Sequence, residues 1–417
     1  MSSVKQKSRM FAFWLDRTTL DLVTEPSGGS VSPGEMLALL RADSPLTRAE
    51  VMRRTGLSRS TVGQRLEALR AAGLVVAAGE EAPGRGRPAG QFAFHRDRGV
   101  LLVADIGGTG LRAALTDLTG AIQLERTAAI DIASGPHPVL GIVDGFFAEL
   151  LAADGRTTAD VYGVGLDVPG PVDIATGQVV SPPIMSGWDR FDIPGWFRPR
   201  YGCPVMVEND VNAMALGEQR RVYPATEALL MIKVGTGIGA GLVAGGAVYR
   251  GADGAAGDIG HMQLTVPGEV APPECRCGNA GCVEARAGGW ALVRDLRAAG
   301  HDVTTVNDAV ALVRTGDATA VSLVRRAGRL LGGAVADAVS LLNPRVVVIG
   351  GQLVAAEEQL MAGIREMVYR RSLPLATARL HIVPSALGPR AGAIGTALLL
   401  ADQVFAPHRI DELLLAT

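Results

Sequence analysis

The chain has 417 residues, 48% of them hydrophobic, and a formal net charge of −2. This length and apolar content suffice for more than one buried core, while the near-neutral charge excludes a protein that binds polyanions over its whole surface. No apolar run approaches the roughly 20 residues of a membrane span, and the short apolar stretch after the basic first residues does not fit a signal peptide. We therefore expect a cytosolic protein that makes no membrane contact.

Charge is distributed unevenly along the chain. Residues 32–98 hold eleven arginines against seven acidic side chains, whereas residues 99–417 carry an excess of acidic groups. A basic segment joined to an acidic body is typical of a nucleic-acid-binding module attached to a ligand-binding domain. Residues 1–31, which close with a Pro-Ser-Gly-Gly-Ser stretch, are predicted to be a poorly ordered or loosely docked tail.

Residues 32–98 predict a winged helix-turn-helix domain with a basic linker. The predicted elements are a helix at Glu35–Leu40, a short helix opened by the Thr47–Glu50 capping box, a helix at Arg59–Ala72 capped by Ser58, and strands at Leu74–Ala77 and Gln91–Phe94. The two strands flank a tip rich in glycine and arginine, as the wing of such a domain requires.

The third helix is the candidate for reading DNA in the major groove, because its polar residues lie opposite an apolar face. Arginine and glutamine side chains can pair with guanine and adenine edges through two hydrogen bonds. The arginines of the wing are expected to enter an adjacent minor groove. The candidate DNA contacts are Arg59, Ser60, Thr61, Gln64, Arg65, Arg85 and Arg87. A small helical cap with a solvated charged face is the alternative, although the caps, turn, hairpin and charge together favour DNA binding.

From residue 99 onward, strands alternate with helices, which predicts an α/β body. The predicted elements are strands at Val100–Asp105, Leu111–Leu115, Val161–Asp167, Pro204–Glu208, Leu229–Val234 and Arg345–Gly350, and helices at Val211–Arg220 and Ser322–Leu342. Two strand–glycine-turn–strand openings, at residues 105–109 and 235–239, indicate a duplicated body. We place its two lobes at residues 99–228 and 229–417.

Glycine-rich turns follow three of the predicted strands. Glycines allow backbone amides to approach a phosphate, and a neighbouring threonine hydroxyl can donate to it. One such turn is weak evidence, but three at strand ends favour a nucleotide-binding cleft. The candidate phosphate-binding residues are Asp105, Gly107, Gly108, Thr109, Gly235, Thr236, Gly237, Gly350 and Gly351.

Glu208-Asn209-Asp210 closes a predicted strand at the head of a helix. A carboxylate there can act as a general base on an alcohol, while the amide binds a neighbouring hydroxyl group. The alternative is a helix N-cap, for which asparagine and aspartate are favoured, and the local sequence favours this interpretation.

Three of the four cysteines lie within eight residues, with a histidine upstream in Gly-Asp-Ile-Gly-His. Thiolates and an imidazole suit zinc, and four such ligands complete a tetrahedral shell without an open position for water. Gly278 and Gly281 supply the tight turns that such a knuckle needs. Free cysteines in an irregular loop and a disulfide framework are the alternatives. The predicted ligands of a structural zinc ion are His261, Cys275, Cys277 and Cys282.

Together these motifs resemble the ROK family of repressors, uncharacterised reading frames and sugar kinases. The whole chain is similar to the repressor branch from about Pro33 to about Leu400. The matching motifs are Asp105-Ile-Gly-Gly-Thr109, Pro169-Gly-Pro-Val-Asp173, Glu208-Asn-Asp210, Gly235-Thr-Gly-Ile-Gly239, Asp258-Ile-Gly-His261 and the Cys275–Glu284 knuckle. The resemblance implies an actin-like, hexokinase-type body with two lobes behind an N-terminal winged helix-turn-helix.

The resemblance also implies roles for individual residues. It places the glycine turns on the phosphates of ATP, with Mg²⁺, and makes Asp210 the catalytic base of the kinases. The implied sugar-binding residues are Asn209, Asp210, Asp258, His261 and Glu284. The chain departs from the family pattern at Asp258, where glutamate is usual, at Pro183, where asparagine is frequent, and at Gly110, where many kinases have lysine. The spacing from His261 to Cys275 is also longer than expected.

We therefore expect a sugar-responsive transcriptional regulator, in the first place a repressor, that binds operator DNA as a homodimer or homotetramer. An ATP-dependent sugar kinase, or a protein with both activities, is the alternative because Asp210 and the phosphate turns are present. The altered sugar contacts lead us to expect slow or absent phosphoryl transfer.

Overall fold

The computed structural model describes residues 31–78, 90–266 and 268–416. Nearly all of the predicted tail therefore lies outside the described residues, and so do the wing arginines Arg85 and Arg87. The described chain forms a small N-terminal head and a larger body with two lobes.

The head, residues 33–94, is a winged helix-turn-helix. Its elements are α1 (Pro33–Ala42), β1 (Leu46–Thr47), α2 (Arg48–Thr55), α3 (Arg59–Ala71), β2 (Val75–Ala78) and β3 (Gln91–Phe94), and its sheet has the order β1-β3-β2. Thr47 and Glu50 form the predicted capping box of α2, and the Ser58 side chain accepts a hydrogen bond from the amide of Thr61 at the start of α3. The turn between them depends on Gly56, whose φ of 69° is left-handed.

The first lobe is built on a five-stranded sheet with the order β10-β7-β4-β5-β6. Its elements are β4 (Val100–Ile106), β5 (Gly110–Thr116), β6 (Ile122–Ala129), α4 (Pro136–Ala153), β7 (Val161–Val168), the hairpin β8 (Val172–Asp173) and β9 (Gln178–Val179), α5 (Ile193–Tyr201) and β10 (Val205–Asn209). Successive residues of β4 alternate between its two faces. Leu102 packs with α4 and α5, whereas Leu101 and Val103 pack on the face toward the head.

The second lobe has a five-stranded sheet with the order β13-β12-β11-β14-β15. Its strands are β11 (Ala228–Val234), β12 (Ile238–Ala244), β13 (Ala247–Tyr249), β14 (Val346–Gly350) and β15 (His381–Pro384). In both lobes a central strand has an antiparallel meander on one side and two parallel strands on the other. This shared topology confirms the predicted two-lobed α/β architecture.

The remaining helices cover the sheets and join the lobes. They are α6 (Asp210–Arg221), α7 (Val283–Ala287), α8 (Gly289–Ala298), α9 (Val306–Arg314), α10 (Ala318–Leu342), α11 (Glu357–Arg371), α12 (Pro374–Thr377), α13 (Ala391–Val404) and α14 (Pro407–Leu415). Helix α10 starts earlier than predicted because the Asp317 side chain caps it through the amide of Ala320. Within residues 31–78, 90–266 and 268–416, no helix combines the length and the apolar surface needed to cross a bilayer.

Helices α6 and α13 cross at unusually close range. A Cβ atom at Gly395 of α13 would lie 1.7 Å from the carbonyl oxygen of Ala213 in α6, and one at Gly217 would lie 2.7 Å from the carbonyl oxygen of Ala391. The two helices can approach this closely only because both positions are glycine.

The head and the body share one hydrophobic core. Leu37, Leu66 and other head residues pack in the same cluster as Leu400 of α13 and Ile410 of α14. The rings of Phe94 and Phe405 meet edge to face with their centroids 5.1 Å apart. The head is therefore packed on the C-terminal helices, so a movement of α13 can reach it directly.

We expect Gly395→Ala to destabilise the protein, because its methyl group would force α13 away from α6. Overpacking of this kind typically costs about 1–3 kcal/mol. Gly141→Ala is the matched control, since Gly141 is inside α4 and a Cβ there meets nothing within 4 Å. Alanine favours helix by up to about 1 kcal/mol over glycine, so the control should not lower stability. Urea denaturation of the three proteins measures both effects, and equal stabilities for the two variants would contradict the close packing.

Candidate effector cleft, metal cluster and DNA-binding surface

Strand ends from both lobes meet where the lobes face each other. Asp105 of β4 is paired in register with Asp167 of β7. Asp210 is the first residue of α6, directly after β10, and Lys233 lies on β11 of the second lobe. Ligands of open α/β sheets bind outside the carboxyl ends of the strands. This cleft is therefore the candidate effector site.

Asn209 is an N-cap, as the local sequence favours. Its Oδ1 accepts hydrogen bonds from the amides of Val211 at 3.0 Å and Asn212 at 3.2 Å. Its Nδ2 donates to the carbonyl oxygen of Gly170 at 3.1 Å. The side chain thus fixes the start of α6 to the Pro-Gly turn after β7 and holds the neighbouring Asp210 in place.

Asp210 is 2% exposed and forms an ion pair with the Lys233 ammonium group, which donates to its Oδ2. Burial opposes the charge of Lys233, but the carboxylates of Asp210 and Asp105 outweigh this effect and raise the pKa of Lys233. Lys233 was not anticipated from the sequence. The available signal was a lone lysine inside the apolar strand Leu-Leu-Met-Ile-Lys-Val, in a chain with only three lysines.

Asp167 adds a third carboxyl group that the sequence analysis did not select. It is fully buried, and the hydroxyl group of Thr396 donates to its Oδ2 at 2.6 Å. Burial, together with the charge of Asp105, raises the pKa of Asp167 well above its usual range. Burial also raises the pKa of Asp105, and the Lys233 ammonium group only partly offsets this. The paired carboxyl groups therefore retain a proton more readily than exposed ones.

The glycine turns of the two lobes lie against each other. A Cβ atom at Gly108 would lie 3.5 Å from Thr236 Oγ1, and Gln352 Nε2 donates to Thr109 Oγ1 at 3.3 Å. Two amides of these turns already donate inside the turns, from Gly107 to the carbonyl of Gly110 at 2.8 Å and from Gly235 to that of Gly237 at 3.0 Å. The two turns thus lie together, but two of their backbone amides already donate hydrogen bonds within the turns and are not available to a phosphate.

Glu284 supports the second glycine turn. Its Oε2 accepts a hydrogen bond from the amide of Ile238 at 3.0 Å, and its Oε1 accepts one from Trp290 Nε1 at 3.0 Å. The residue is 6% exposed, and a Cβ at Gly237 would lie 2.4 Å from its Oε2. Both carboxylate oxygens therefore have partners within the protein, and Glu284 defines the shape of the 235–238 turn.

An ion pair that was not predicted joins the lobes beside Asp210. Arg250, which follows β13, donates through Nε at 2.8 Å and Nη2 at 2.6 Å to Oε2 of Glu208 on β10. Asn212 Nδ2 donates to the other oxygen of Glu208 at 3.1 Å. Glu208 is 5% exposed. This pair fixes the loop that leads to Asp258 against the first lobe.

The predicted metal ligands converge despite the long spacing between His261 and the first cysteine. The four ligand atoms of His261, Cys275, Cys277 and Cys282 all lie within 4.8 Å of one another, and none of the four cysteines is in a disulfide. Gly278 and Gly281 adopt φ values of 91° and 79°, as the predicted turns require.

Two distances within the cluster match those of a tetrahedral zinc shell. Zinc bonds of about 2.3 Å to sulfur and about 2.05 Å to nitrogen imply separations of about 3.8 Å between two sulfurs and about 3.6 Å between sulfur and nitrogen. The observed distances are 3.8 Å from Cys277 Sγ to Cys282 Sγ and 3.6 Å from Cys275 Sγ to His261 Nδ1. The cluster is therefore compatible with zinc.

His261 lies between the metal cluster and Asp258. Its Nδ1 faces Cys275, while its Nε2 lies 4.0 Å from Asp258 Oδ1. The Asp258 side chain is 61% exposed. A carboxylate that is shorter than glutamate and exposed beside an anchored imidazole remains available to a ligand hydroxyl group, directly or through water.

The candidate DNA-binding surface follows the exposed side of α3. Arg59, Ser60 and Gln64 are exposed, whereas Thr61 and Arg65 are half-buried. The hydroxyl groups of Ser60 and Thr61 hydrogen-bond with Ser58 Oγ at 2.9 and 2.8 Å, so they support the helix cap. Arg59 and Gln64 are thus the long side chains of the candidate set that extend into solvent from the described surface.

Comparison with known proteins agrees with this architecture. The ROK family model matches residues 102–403, and a winged helix-turn-helix DNA-binding model matches residues 34–76. The xylose repressor of Bacillus spizizenii is 26% identical over 386 residues, which cover 92% of this chain and 98% of the repressor.

Two solved structures have the same fold. A ROK family transcriptional regulator, a homologue of the E. coli MLC protein, superposes with a TM-score of 0.77 at 26% identity, covering 92% of this chain and 98% of that one. A ROK glucokinase from Streptomyces griseus, in complex with glucose and AMPPNP, gives a TM-score of 0.62 at 30% identity, covering 72% of this chain and 99% of the kinase. The match of the family model over most of the body shows that this chain belongs to the ROK family.

Proposed function

We propose that this protein is a sugar-responsive transcriptional repressor, which binds operator DNA with its head and a sugar in its cleft. The observation that carries the proposal is the presence of a winged helix-turn-helix and a ROK body in one chain, matching almost the full length of a xylose repressor. The glucokinase structure matches the body alone. A DNA-reading head has no use in sugar phosphorylation, so it favours the regulator.

Operator recognition is assigned to α3 and the wing. Arg59 and Gln64 are proposed to contact base edges, because they are exposed near the start of the recognition helix. Arg65 is proposed to contact the DNA backbone, and Arg85 and Arg87 the minor groove. Helix-turn-helix proteins commonly read two half-sites, so we propose that a homodimer or homotetramer binds an inverted repeat.

The proposed effector is an aldose bound beside Asp210, Asp258 and His261. Support comes from the cleft, which places an exposed carboxylate next to an imidazole, and from relatives named for xylose and glucose. Xylose and glucose are therefore the first sugars to test. Asn209 and Glu284 are proposed to act indirectly, by positioning Asp210 and the second glycine turn.

Helices α6 and α13 are proposed to transmit sugar binding to the head. Helix α6 starts at Asp210, and α13 carries Thr396, which hydrogen-bonds Asp167. At their other ends, Asp402 of α13 accepts from Arg41 of the head at 3.2 Å and pairs with Arg220 of α6 at 2.6 Å. A sugar that shifts either helix therefore alters the contact that holds the head.

Zinc is proposed as a structural ion in the cluster around His261, supported by the tetrahedral spacing of the ligands. Its role is to fix the imidazole, and with it the edge of the sugar site next to Asp258. No position of the shell is left for catalysis, because four protein ligands complete it.

A sugar kinase is the second candidate function. It is favoured by Asp210, which is retained at the head of α6, and by the glucokinase that matches the body. An ADP-release assay with xylose or glucose, comparing the wild type with Asp210→Ala, separates the functions. Turnover that is lost in the variant would establish a bifunctional protein.

Arg59→Ala and Gln64→Ala are each expected to weaken binding to a selected operator by about 1–3 kcal/mol and to relax specificity at one base pair. Fluorescence anisotropy at fixed salt, with the operator and a scrambled duplex, measures both changes. Arg70→Ala is the control for Arg59→Ala, because it also removes one arginine charge, but from an exposed site at the far end of α3. Equal losses in all three variants would argue against base recognition by Arg59 and Gln64.

Asp402→Asn is expected to reduce the effect of sugar on operator affinity, because it weakens both contacts that link α13 to the head and to α6. Coupling of this kind typically amounts to about 5–150-fold in affinity, and the variant should retain only part of it. The measurement is the ratio of operator Kd with and without sugar, with sugar affinity determined by calorimetry. Asp337→Asn, which removes an exposed ion pair with Arg371 on the second lobe, serves as control. An unchanged ratio in Asp402→Asn would refute this route.

Cys277→Ser is expected to abolish stoichiometric zinc binding, to lower the melting temperature and to weaken sugar binding, because His261 loses its anchor. Elemental analysis of freshly purified, reduced protein should find about one zinc per chain in the wild type. Cys203→Ala, which removes the cysteine outside the cluster, should retain the metal. Wild-type protein without zinc would exclude the proposed site.

A further inference from the structure

Lys233 places a fixed positive charge among the carboxyl groups of the cleft. Its ammonium group pairs with Asp210, and the charges of Asp105 and Asp167 also act on it. The Lys233 side chain is 22% exposed and that of Asp210 only 3%. Lys233 on β11 of the second lobe thus contacts a buried carboxylate at the start of α6.

Phosphoryl transfer makes two demands on such a cleft. A carboxylate must be free to accept the proton of the sugar hydroxyl group, and a divalent cation must neutralise the phosphates near the glycine turns. Asp210 is the residue that the family resemblance assigns to the first task. For the second task, binding a cation, the candidate is Asp105, the penultimate residue of the strand that leads into the first glycine turn.

The residues present do not fit these demands. Asp210 Oδ2 already accepts a hydrogen bond from Lys233, so an ammonium group occupies one of the two carboxylate oxygens and makes the carboxylate a weaker proton acceptor. A divalent cation close to Asp105 and Asp210 would be repelled by that ammonium charge at short range and low dielectric. Two amides of the glycine turns, those of Gly107 and Gly235, also donate within the turns rather than toward the cleft. One carboxylate oxygen of Asp210 and two amides of the glycine turns are therefore already engaged and are not offered to Mg·ATP.

A purely structural ion pair is a poor explanation for this arrangement. Burying charged groups costs free energy that their attraction often fails to recover, and apolar residues of similar volume would serve a core at least as well. Here three carboxyl groups act on one amine, and one of them, Asp167, is fully buried. The cluster retains the carboxylates of a cation site and supplies the cation from the protein itself.

We propose that Lys233 is a tethered cation that takes the place of a divalent metal ion in the cleft and holds Asp210 as a binding group rather than a base, so that the protein binds its sugar without phosphorylating it. Lys233 is on this account a positioning residue, which acts through Asp210. The proposal rests on the sugar-binding part of the proposed function and is independent of DNA recognition.

Lys233→Met tests the proposal, because methionine keeps the length and the apolar stem of lysine but removes its charge. Lys233→Arg is the matched control, since it keeps a cation at the same position. Mn²⁺ is the probe, and its binding to the full-length protein is followed by electron paramagnetic resonance. We expect no stoichiometric Mn²⁺ binding at the cleft of the wild type or of Lys233→Arg. Lys233→Met should bind one ion, and the additional change Asp210→Asn should remove it.

ADP release in the presence of ATP, Mg²⁺ and the sugar gives a second readout. Lys233→Met should exceed the wild type, because the hydroxyl proton then has a free carboxylate acceptor in Asp210. Adding Asp210→Asn should reduce that gain by about a hundredfold or more, the usual contribution of a general base. The Lys233→Arg protein should resemble the wild type in this assay.

Sugar calorimetry and operator anisotropy on the same variants separate this proposal from the proposed function. A folded Lys233→Met protein that binds sugar but neither binds Mn²⁺ nor releases ADP would overturn the tethered-cation role and leave the repressor intact. Robust Mn²⁺ binding and ADP release by the wild type would overturn it as well. If Lys233→Met does not fold, Lys233→Gln is used with the same outcomes, because the amide is neutral but tolerates the polar surroundings.

Discussion

The close crossing of α6 and α13 is the constraint on which the rest of the molecule depends. Gly217 and Gly395 let the two backbones approach at a distance that any side chain would forbid. Asp210 begins α6, Thr396 hydrogen-bonds Asp167 beside the crossing, and the Arg220–Asp402 ion pair joins the C-terminal turns of the two helices. Because tightly packed helices shift as units and not by gradual deformation, the crossing ties the state of the cleft to the position of the head.

Several polar residues around the cleft stabilise its framework and are only indirectly available to a ligand. Asn209 caps α6, Glu284 shapes the second glycine turn, and Glu208 anchors Arg250 across the lobes. Glu208 and Glu284 are buried, Asn209 is half-buried, and all three form their hydrogen bonds within the protein. The surfaces left for a sugar are the exposed Asp258 carboxylate and the groups beside it. On our proposal, this division lets a ROK cleft keep the family's motifs and bind a sugar without phosphorylating it.

Local sequence patterns were sufficient to predict the helices, strands and turns, but they did not predict the contacts between distant elements. Capping boxes, strand alternation and the glycine turns predicted the head and the two lobes, since each depends on residues close together in the chain. The cysteine spacing predicted the metal cluster for the same reason. The Arg41–Asp402 contact joins residues 361 positions apart, and the Lys233–Asp210 pair joins two different lobes. Neither leaves a local pattern beyond an unexpected lysine in an apolar strand, so both required the three-dimensional structure.

The ion pairs beneath the head have energies that suit a switch. Asp402 is 39% exposed and is shared between Arg41, which is 16% exposed, and Arg220, which is 37% exposed. Exposed pairs such as Arg220–Asp402 are typically worth about 0–1 kcal/mol. Much stronger contacts would lock the head in one position, because a bound sugar can shift an equilibrium only by its difference in affinity for the two states. Allosteric coupling of about 1–3 kcal/mol is of the same size as one or two such pairs. A weak, shared carboxylate at the end of two rigid helices can therefore be rearranged by a small ligand, whereas the buried aromatic contact of Phe94 with Phe405 keeps the head attached throughout.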